Sequence, residues 1–184
     1  MPFSLDADKD WLVNVRKVPS PNCDERAGDT IIDAVVVHGI SLPPKQYGGP
    51  YIEQFFTNTL DHDVHPYFSE IKELRVSSHL LVNRAGDVIQ FVPFSLRARH
   101  AGVSQLCGRD DCNEYSIGIE LEGCDDEPYE DIQYKTLAEI VKSLMKQWPE
   151  ITSDRIVGHS DIAPDRKTDP GPVFDWEYFF TLLT

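Results

Sequence analysis

The sequence predicts a single domain of the α/β class, α+β in type, in which a central β-sheet is flanked by helices. Residues 31–37 form a short β-branched apolar run without alternation, which indicates a central strand covered on both faces. Residues 116–122 alternate between apolar and polar side chains, as a second strand would. Residues 131–148 repeat apolar side chains at helical spacing and predict one long amphipathic helix over the sheet. With 184 residues, the chain is long enough for one full core.

The N-terminal segment, residues 1–30, is predicted to be an arm that packs on the main domain, residues 31–184. Its apolar residues have the spacing of a short amphipathic helix: Trp11, Leu12, Val15 and Val18. Pro19 and Pro21 then end this helix, and the acidic stretch to Asp29 is predicted to be a loop.

After the first strand, residues 39–50 are predicted to form a Pro/Gly-rich loop, at a strand end where functional residues often lie. Tyr47 in this loop either packs the loop or contacts a substrate. Apolar spacing predicts short helices over residues 51–60 and 68–74. His62 and His65 lie between them and are predicted to be solvated.

A hairpin with a Gly-containing loop is predicted over residues 78–82 and 88–91. His79 on its first strand is predicted to be a buried structural histidine rather than a metal ligand. Residues 93–115 are predicted to be mostly irregular, and so long a loop in a compact domain is usually functional. Its basic side chains either meet substrate carboxylates or pair with local aspartates, and both alternatives stay open: Arg97, Arg99, His100 and Arg109.

The strand at residues 116–122 places its apolar residues towards the core and Glu120 on the opposite face, with Gly118 leaving room beside it. A glutamate on a strand face is usually solvated, but the flanking positions resemble a cleft wall and favour catalysis. Pro149 ends the long helix. Asp175 is predicted to cap a last helix over residues 176–183.

The composition limits the classes of partner. The net charge of −14 and the pI of about 4.7 argue against binding to nucleic acid or to an anionic membrane, because a basic face would be needed. The acidic N-terminus has no apolar segment typical of a secretory signal, so a cytoplasmic location is expected. The four cysteines are expected to be reduced thiols. Cys107 and Cys112 are not expected to bind zinc, because their spacing is looser than that of the usual ligand pairs and no second pair completes a site. We expect a monomer.

The stretch from Gly158 to Pro172, GHSDIAPDRKTDPGP, carries the strongest chemical signal. Its prolines predict a rigid loop that presents side chains, neither a helix nor a central strand. Histidine and carboxylate on such a loop suit Zn²⁺. Alone, His38 would be interpreted as a hydrogen-bonded core histidine, but this loop makes it a partner for His159 and Asp169. These three residues are the predicted zinc ligands.

Three protein ligands with an open fourth position are typical of a catalytic zinc site. A nearby carboxylate could take a proton from water and pass it to a leaving amine, and Glu120 is the candidate. Lys167 is spaced to project from the ligand loop and could stabilise the oxyanion of a tetrahedral intermediate. Together these groups indicate hydrolysis of an amide or an ester.

At these residues the chain resembles the zinc N-acetylmuramoyl-L-alanine amidases, and among them the AmpD group. The segments that carry the resemblance are VVVHGISLP, LRVSSH, RARHAGVS, CNEYSIGIELEG and GHSDIAPDRKTDPGP. The resemblance implies a mixed central sheet and zinc on His38, His159 and Asp169. It implies that Glu120 activates water and that Lys167 stabilises the transition state. The implied substrate is an anhydro-muropeptide of cell-wall recycling, cut between the lactyl group of the sugar and L-alanine.

The resemblance also places Tyr47 and Arg75 at positions that line the substrate cleft. This chain departs from the group's pattern at Gly39, where Asn is common, and at Arg99, where Trp is common. A substrate-binding arginine is expected just before Cys112, whereas Asp111 stands there and Arg109 lies nearby.

Two other functions are weighed against the recycling amidase. One is a muropeptide-binding sensor without catalysis, which the full set of ligands and Glu120 oppose. The other is a broader amidase acting on intact peptidoglycan.

Overall fold

The computed structural model describes residues 3–184, within which ten strands and five helices occur. The strands are β1 (Arg16–Lys17), β2 (Cys23–Glu25), β3 (Ala34–Ile40), β4 (Leu80–Val82), β5 (Val88–Gln90), β6 (Leu96–Ala98), β7 (Gln105–Leu106), β8 (Arg109–Asp110), β9 (Ser116–Glu122) and β10 (Ile156–Gly158). The helices are α1 (Tyr51–Phe56), α2 (Pro66–Glu70), α3 (Asp131–Gln147), α4 (His159–Ile162) and α5 (Trp176–Leu183).

Six strands form the central sheet in the order β1-β5-β4-β9-β3-β10. The β4–β5 hairpin is antiparallel, and every other neighbouring pair is parallel, so the sheet is mixed. β2 with β6 and β7 with β8 form two small antiparallel ribbons outside it. The prediction of one α/β domain with a mixed central sheet and flanking helices is confirmed.

Alternation along β3 and β9 assigns their side chains to two different layers. Val35 and Val37 of β3 lie in the same core cluster as Ile117 and Ile119 of β9. Because successive side chains of a strand point to opposite faces, His38 and Glu120 belong to the other face. His38 is the fifth residue of β3 rather than its end, because the strand continues to Ile40.

Helices α3 and α5 cover one face of the sheet. The apolar stripe of α3 enters the large core cluster together with Phe179 of α5. Gln133 ties α3 to the sheet, because its side-chain amide donates to the carbonyls of Val82 and Glu122 at 3.3 and 3.1 Å. The Asp175 carboxylate accepts from the Tyr178 N–H at 2.8 Å, which confirms the predicted cap of α5.

Two shorter helices, α1 and α2, pack on the opposite face. Phe55 and Phe56 of α1 join Phe68 of α2 in a second core cluster. Both helices are shorter than predicted, because residues 57–60 and 71–74 leave the helical conformation. Asn58 has a φ of 59°, in the left-handed region where a right-handed helix cannot continue.

The predicted helix in the N-terminal arm is wrong. Residues 11–15 form turns, and β1 follows as an edge strand of the central sheet. Asn14 has a φ of 63°, which interrupts any right-handed helix there. Buried Gln90 stabilises the observed path, because it accepts from the Leu12 N–H at 2.7 Å and donates to the Asp10 carbonyl at 2.8 Å.

Three predicted loops contain more regular structure than expected. The stretch before Asp29 includes β2, and residues 93–115 include β6, β7 and β8. The Gly158–Pro172 segment begins with the single turn α4, because its prolines all come after that turn. Within residues 3–184, no helix is long and apolar enough to cross a membrane.

Candidate metal centre and cleft

The pairing of β3 with β9 brings the first candidate ligand beside the candidate base. His38 and Glu120 are direct partners in the parallel register, on the face opposite α3. Their side chains are 1% and 9% exposed, so the sheet holds both groups almost out of solvent.

The segment after β10 supplies the other two candidate ligands. β10 lies beside β3, so His159 at the start of α4 emerges next to His38. The chain then turns back, and the Ser160 N–H donates to the Asp169 carbonyl at 2.9 Å. This contact closes the loop and places Asp169 against both histidines.

Three donor atoms form a compact triangle at this point. The Nδ1 atoms of His38 and His159 are 2.9 Å apart, and Oδ2 of Asp169 lies 3.2 and 3.1 Å from them. Tetrahedral bonds of roughly 2.0–2.2 Å to zinc would separate three donors by roughly 3.3–3.6 Å. The observed spacing needs only a few tenths of an ångström of adjustment, so the three side chains fit such an ion.

The tautomer of His159 also favours a cation. Its Nε2 lies 3.1 Å from the Ala101 carbonyl, which can only accept, so Nε2 carries the proton of the neutral ring. Nδ1 then turns a lone pair towards the Asp169 carboxylate, 3.1 Å away. Two acceptors at this distance need a positive charge between them.

The pKa values of His38 and Asp169 also suit the binding of a cation. Burial lowers the pKa of His38 to about 4, so its imidazole is neutral at pH 7, as a metal ligand must be. Burial alone would raise the pKa of Asp169, but the imidazoles of His159 and His38 beside the carboxylate hold this pKa below its ordinary value. Two imidazole nitrogens and one carboxylate are a donor set typical of zinc.

Glu120 is a perturbed carboxyl group. Burial raises its pKa well above the ordinary value, the charge of Asp169 adds to this, and Lys167 opposes it. Its Oε2 is buried without a hydrogen-bond partner among the described residues. Such a group, on a rigid strand beside a candidate metal centre, is a candidate general base.

A single cleft of about 1070 Å³ opens over these groups. His38, Glu120 and Asp169 lie in its floor, and Lys167 lines the same cavity. One wall is apolar and comes mainly from α1, α2 and the segment after them: Leu42, Phe55, Phe56, Tyr67, Ile71, Leu74 and Val76. The volume lies just above the usual range for small-molecule sites, about 300–1,000 Å³.

The structure places the three predicted substrate-binding residues away from the cleft lining. Tyr47 packs against Arg84, whose guanidinium lies 4.7 Å from the ring centroid, and its hydroxyl donates to Glu127 at 3.0 Å. Arg75 is exposed and donates to the carbonyls of Lys72 and Leu74 at 2.8 and 2.9 Å. Arg109 lines a second, shallower cavity and donates to Asp33 at 2.5 Å.

Two other arginines of the long loop do reach the cleft. Arg97 is bound by Asp24, Asp111 and Glu114, at 2.7, 3.1 and 3.2 Å. Arg99 contacts the second oxygen of Asp24 at 3.1 Å. These two arginines therefore pair with local carboxylates, which was one of the two predicted alternatives. Both also line the cleft.

The remaining histidines and cysteines lie outside the donor triangle. His79 is buried and accepts from the Gly118 N–H at 3.0 Å, and its Nε2 lies 3.1 Å from the Leu96 carbonyl. Both of its nitrogens are therefore occupied. His65 caps α2 by accepting from the Tyr67 N–H. All four cysteines are free thiols, as predicted.

The sequence pattern placed His100 among the basic side chains that meet substrate carboxylates or pair with local aspartates, and it assigned no role to Asn113. His100 Nδ1 lies 2.9 Å from His38 Nε2, directly behind the candidate ligand. Asn113 fixes the backbone at His100. The family resemblance marked both positions, because RARHAGVS contains His100 and CNEYSIGIELEG contains Asn113.

Comparisons with known proteins agree with this geometry. A family model described as N-acetylmuramoyl-L-alanine amidase matches residues 28–172. The 1,6-anhydro-N-acetylmuramyl-L-alanine amidase AmpD of Salmonella typhimurium (strain SL1344) is 54% identical over 176 residues, covering 96% of this chain and 94% of that protein. AmpD of Escherichia coli (strain K12) is 52% identical over 177 residues, covering 96% of each.

Solved structures show the same relationship. A crystal structure of a selenomethionine derivative of AmpD has a TM-score of 0.93 and 51% identity, covering 98% of this chain and 99% of that one. The E. coli amidase AmiD, in complex with the substrate anhydro-N-acetylmuramic acid-L-Ala-D-gamma-Glu-L-Lys, has a TM-score of 0.61 and 26% identity, covering 98% of this chain and 65% of that one. The chain is therefore an enzyme of the N-acetylmuramoyl-L-alanine amidase family, of the AmpD type.

Proposed function

We propose that this amidase is zinc-dependent and cleaves the amide bond between the lactyl group of 1,6-anhydro-N-acetylmuramic acid and L-alanine. The observation that carries the proposal is the triangle of donor atoms from His38, His159 and Asp169 at the cleft floor. The names of the AmpD relatives, at about half identity over nearly the whole chain, support the choice of bond.

Zinc in such a site supplies a Lewis acid and lowers the pKa of water to about 7. Glu120 has the position and the environment of the general base. Its carboxylate accepts a proton from the attacking water and delivers it to the nitrogen of the leaving L-alanine. A pKa raised by burial suits this exchange, because a base works best when its pKa lies near the operating pH.

Lys167 supplies positive charge on the same side of the cleft. It is near enough to Glu120 and His38 to affect the pKa of both. No ion pair to its ammonium occurs among residues 3–184, so the charge is free to face a substrate. We assign it to the oxyanion that forms on the lactyl carbonyl.

The cleft has room for a sugar that carries a short peptide. Its apolar wall suits the rings and methyl groups of such a ligand, and Arg99 and Arg166 offer cations at the rim to peptide carboxylates. Roles for Tyr47, Arg75 and Arg109 in substrate binding stay predictions, and they would need the surrounding loops to move. A part in cell-wall recycling, a cytoplasmic location and a monomeric state also stay predictions.

The test is hydrolysis of anhydro-N-acetylmuramoyl-tripeptide by the purified protein, followed by mass spectrometry. Parallel reactions use the protein as purified, the protein after treatment with a chelator, and the treated protein with zinc restored. The expected result is release of a free peptide that begins at L-alanine, loss of this release with the chelator, and recovery with zinc.

Two further substrates separate the alternative functions. Release from intact peptidoglycan at a comparable rate would favour the broader amidase. Binding of the anhydro-muropeptide by the zinc-loaded protein without release of peptide would favour a sensor and overturn the proposal. Full activity in the presence of the chelator would show that the reaction does not depend on zinc.

A further inference from the structure

The two candidate imidazole ligands are both held from behind by one short segment. His38 Nε2 lies 2.9 Å from His100 Nδ1, and His159 Nε2 lies 3.1 Å from the carbonyl of Ala101. His100 therefore contacts the outer nitrogen of His38, and Ala101 contacts the outer nitrogen of His159. Partners of this kind fix the orientation and the tautomer of a metal-binding histidine.

The proton on His38 can be located from the contacts behind it. The Cys112 carbonyl can only accept, so the Ser116 hydroxyl donates its single proton there, at 2.5 Å. The Ser116 oxygen, 3.2 Å from His100 Nε2, must then accept from that ring nitrogen. In the neutral ring, His100 Nδ1 is consequently the acceptor. The proton shared with His38 thus belongs to His38 Nε2.

This assignment leaves His38 Nδ1 with a free lone pair, directed at the donor triangle. His159 reaches the same state through the Ala101 carbonyl. The ring of His100 is buried between two other imidazoles, with centroids 5.0 Å from His38 and 5.8 Å from His79.

The His100–Ala101 segment is itself fixed. The side-chain oxygen of Asn113 accepts from the N–H of His100 at 2.9 Å and from that of Ala101 at 2.7 Å. The imidazole of His100 lies over Gly118, where an added Cβ would come within 2.4 Å of the ring. The ring can occupy this place only because β9 has a glycine there.

We propose that His100 is a positioning residue that keeps His38 in its metal-binding tautomer, with Ser116 setting the direction of the hydrogen bonds and Asn113 holding the segment. The inference rests on the proposed zinc site but assigns residues beyond its three ligands. His100 acts through His38 and has no contact with the reacting atoms.

The test measures zinc affinity by competition with a chromophoric chelator, and ligand geometry by the visible spectrum of the cobalt(II)-loaded protein. His100→Leu fills the space of the ring without an acceptor, and we expect zinc to bind about 10–100-fold more weakly. His100→Asn keeps an acceptor oxygen near the position of Nδ1, and we expect affinity within a few-fold of wild type. Ser116→Ala should give an intermediate loss and a shifted cobalt spectrum.

Unfolding of each metal-free variant by urea separates positioning from structural damage. A purely structural role would lower the stability of His100→Leu and His100→Asn alike and leave zinc affinity of the folded protein unchanged. Wild-type affinity and an unchanged cobalt spectrum in His100→Leu would overturn the inference, and Ser116→Ala provides the same test if His100→Leu does not fold. A wild-type protein that binds no zinc would instead refute the proposed function, and this inference with it.

Discussion

The hydroxyl of Tyr129 donates a hydrogen bond of 2.8 Å to the carbonyl of Pro170, the residue after the candidate ligand Asp169. Two glycines make room for this contact. An added Cβ at Gly39 would lie 2.3 Å from the Tyr129 hydroxyl oxygen, and one at Gly123 would lie 2.3 Å from the ring. Gly39, a departure from the family pattern, therefore has a steric reason in this chain.

Tyr129→Phe should loosen the ligand loop. The variant loses one hydrogen bond to a buried carbonyl, which costs about 1–3 kcal/mol of unfolding free energy. We expect zinc affinity to fall several-fold, because Asp169 adjoins the freed carbonyl. The matched control is Tyr134→Phe, which removes the hydroxyl that accepts from the Asp175 N–H at 2.8 Å, a contact outside residues 158–172. Equal loss of zinc affinity in both variants would contradict a specific role for Tyr129.

Glu120→Gln should separate metal binding from turnover. The amide keeps the shape of the side chain but cannot accept a proton, so we expect a rate decrease of about 10²–10⁴-fold with zinc content unchanged. Glu122→Gln on the same strand is the control, because Glu122 accepts from the N–H groups of Gly48 and Arg84 and has no place in the reaction. Turnover of Glu120→Gln at the wild-type rate would exclude Glu120 as the base.

Lys167→Met should lower kcat more than it changes KM. The variant keeps an unbranched side chain and removes the charge assigned to the oxyanion, a change typically worth about 10²–10³-fold in kcat. Lys45→Met is the control, since Lys45 also lines the cleft but pairs with Asp126 at 2.5 Å. A similar effect of both substitutions would indicate general electrostatic attraction of substrate, with no special role for Lys167.

Asp169→Asn should lose zinc. Loss of an outer hydrogen-bond partner of a ligand typically lowers metal affinity by roughly 10–100-fold. Removal of a direct ligand should lower zinc affinity by at least as much. Zinc per chain, measured by elemental analysis after dialysis, reports the result. Unchanged zinc content would make His79 the third ligand, despite its contacts with Gly118 and Leu96.

The metal-free protein should lose stability as the pH falls from about 6.5 towards 4.5. Burial lowers the pKa of His38 to about 4 and that of His79 to about 3, and lowers that of His100 as well. The unfolded chain therefore binds more protons at these groups than the folded chain, and each costs up to about 1.4 kcal/mol of stability per pH unit.

Glu120 acts in the opposite direction. Its raised pKa means that the folded state binds its proton more tightly, so this group alone makes stability fall as the pH rises above about 4.5. Glu120→Gln removes this opposing effect and should steepen the dependence. Urea unfolding in the presence of a chelator between pH 4.5 and 7 checks both, and a flat profile would contradict the neutral buried histidines.

Local patterns in the sequence were sufficient for the elements that carry the site. The β-branched run predicted β3, the alternation predicted β9 with Glu120 off the core face, and donor chemistry suggested the three ligands. The direct pairing of His38 with Glu120 was not predictable, because parallel register between distant strands leaves no local pattern.

The errors have a similar cause. The arm residues from Trp11 to Val18 satisfy helical spacing, but contacts with Gln90 and the sheet edge determine their path. Arg97 and Arg109 were compatible with substrate binding until their partners appeared, and Asp24 and Asp33 lie more than 70 residues away in sequence. The role of His100 depends on a proton direction set by Ser116, which only the folded arrangement reveals.

The position of β10 gives the metal centre a second consequence. β10 is the outermost strand of the sheet and is attached to β3 through three residue pairs. An ion shared by His38 and His159 would be a reversible cross-link that closes a loop of 121 residues at this edge. Cross-links across long loops restrict the unfolded chain most. Zinc would then fasten the C-terminal portion of the chain to the sheet at its outermost strand.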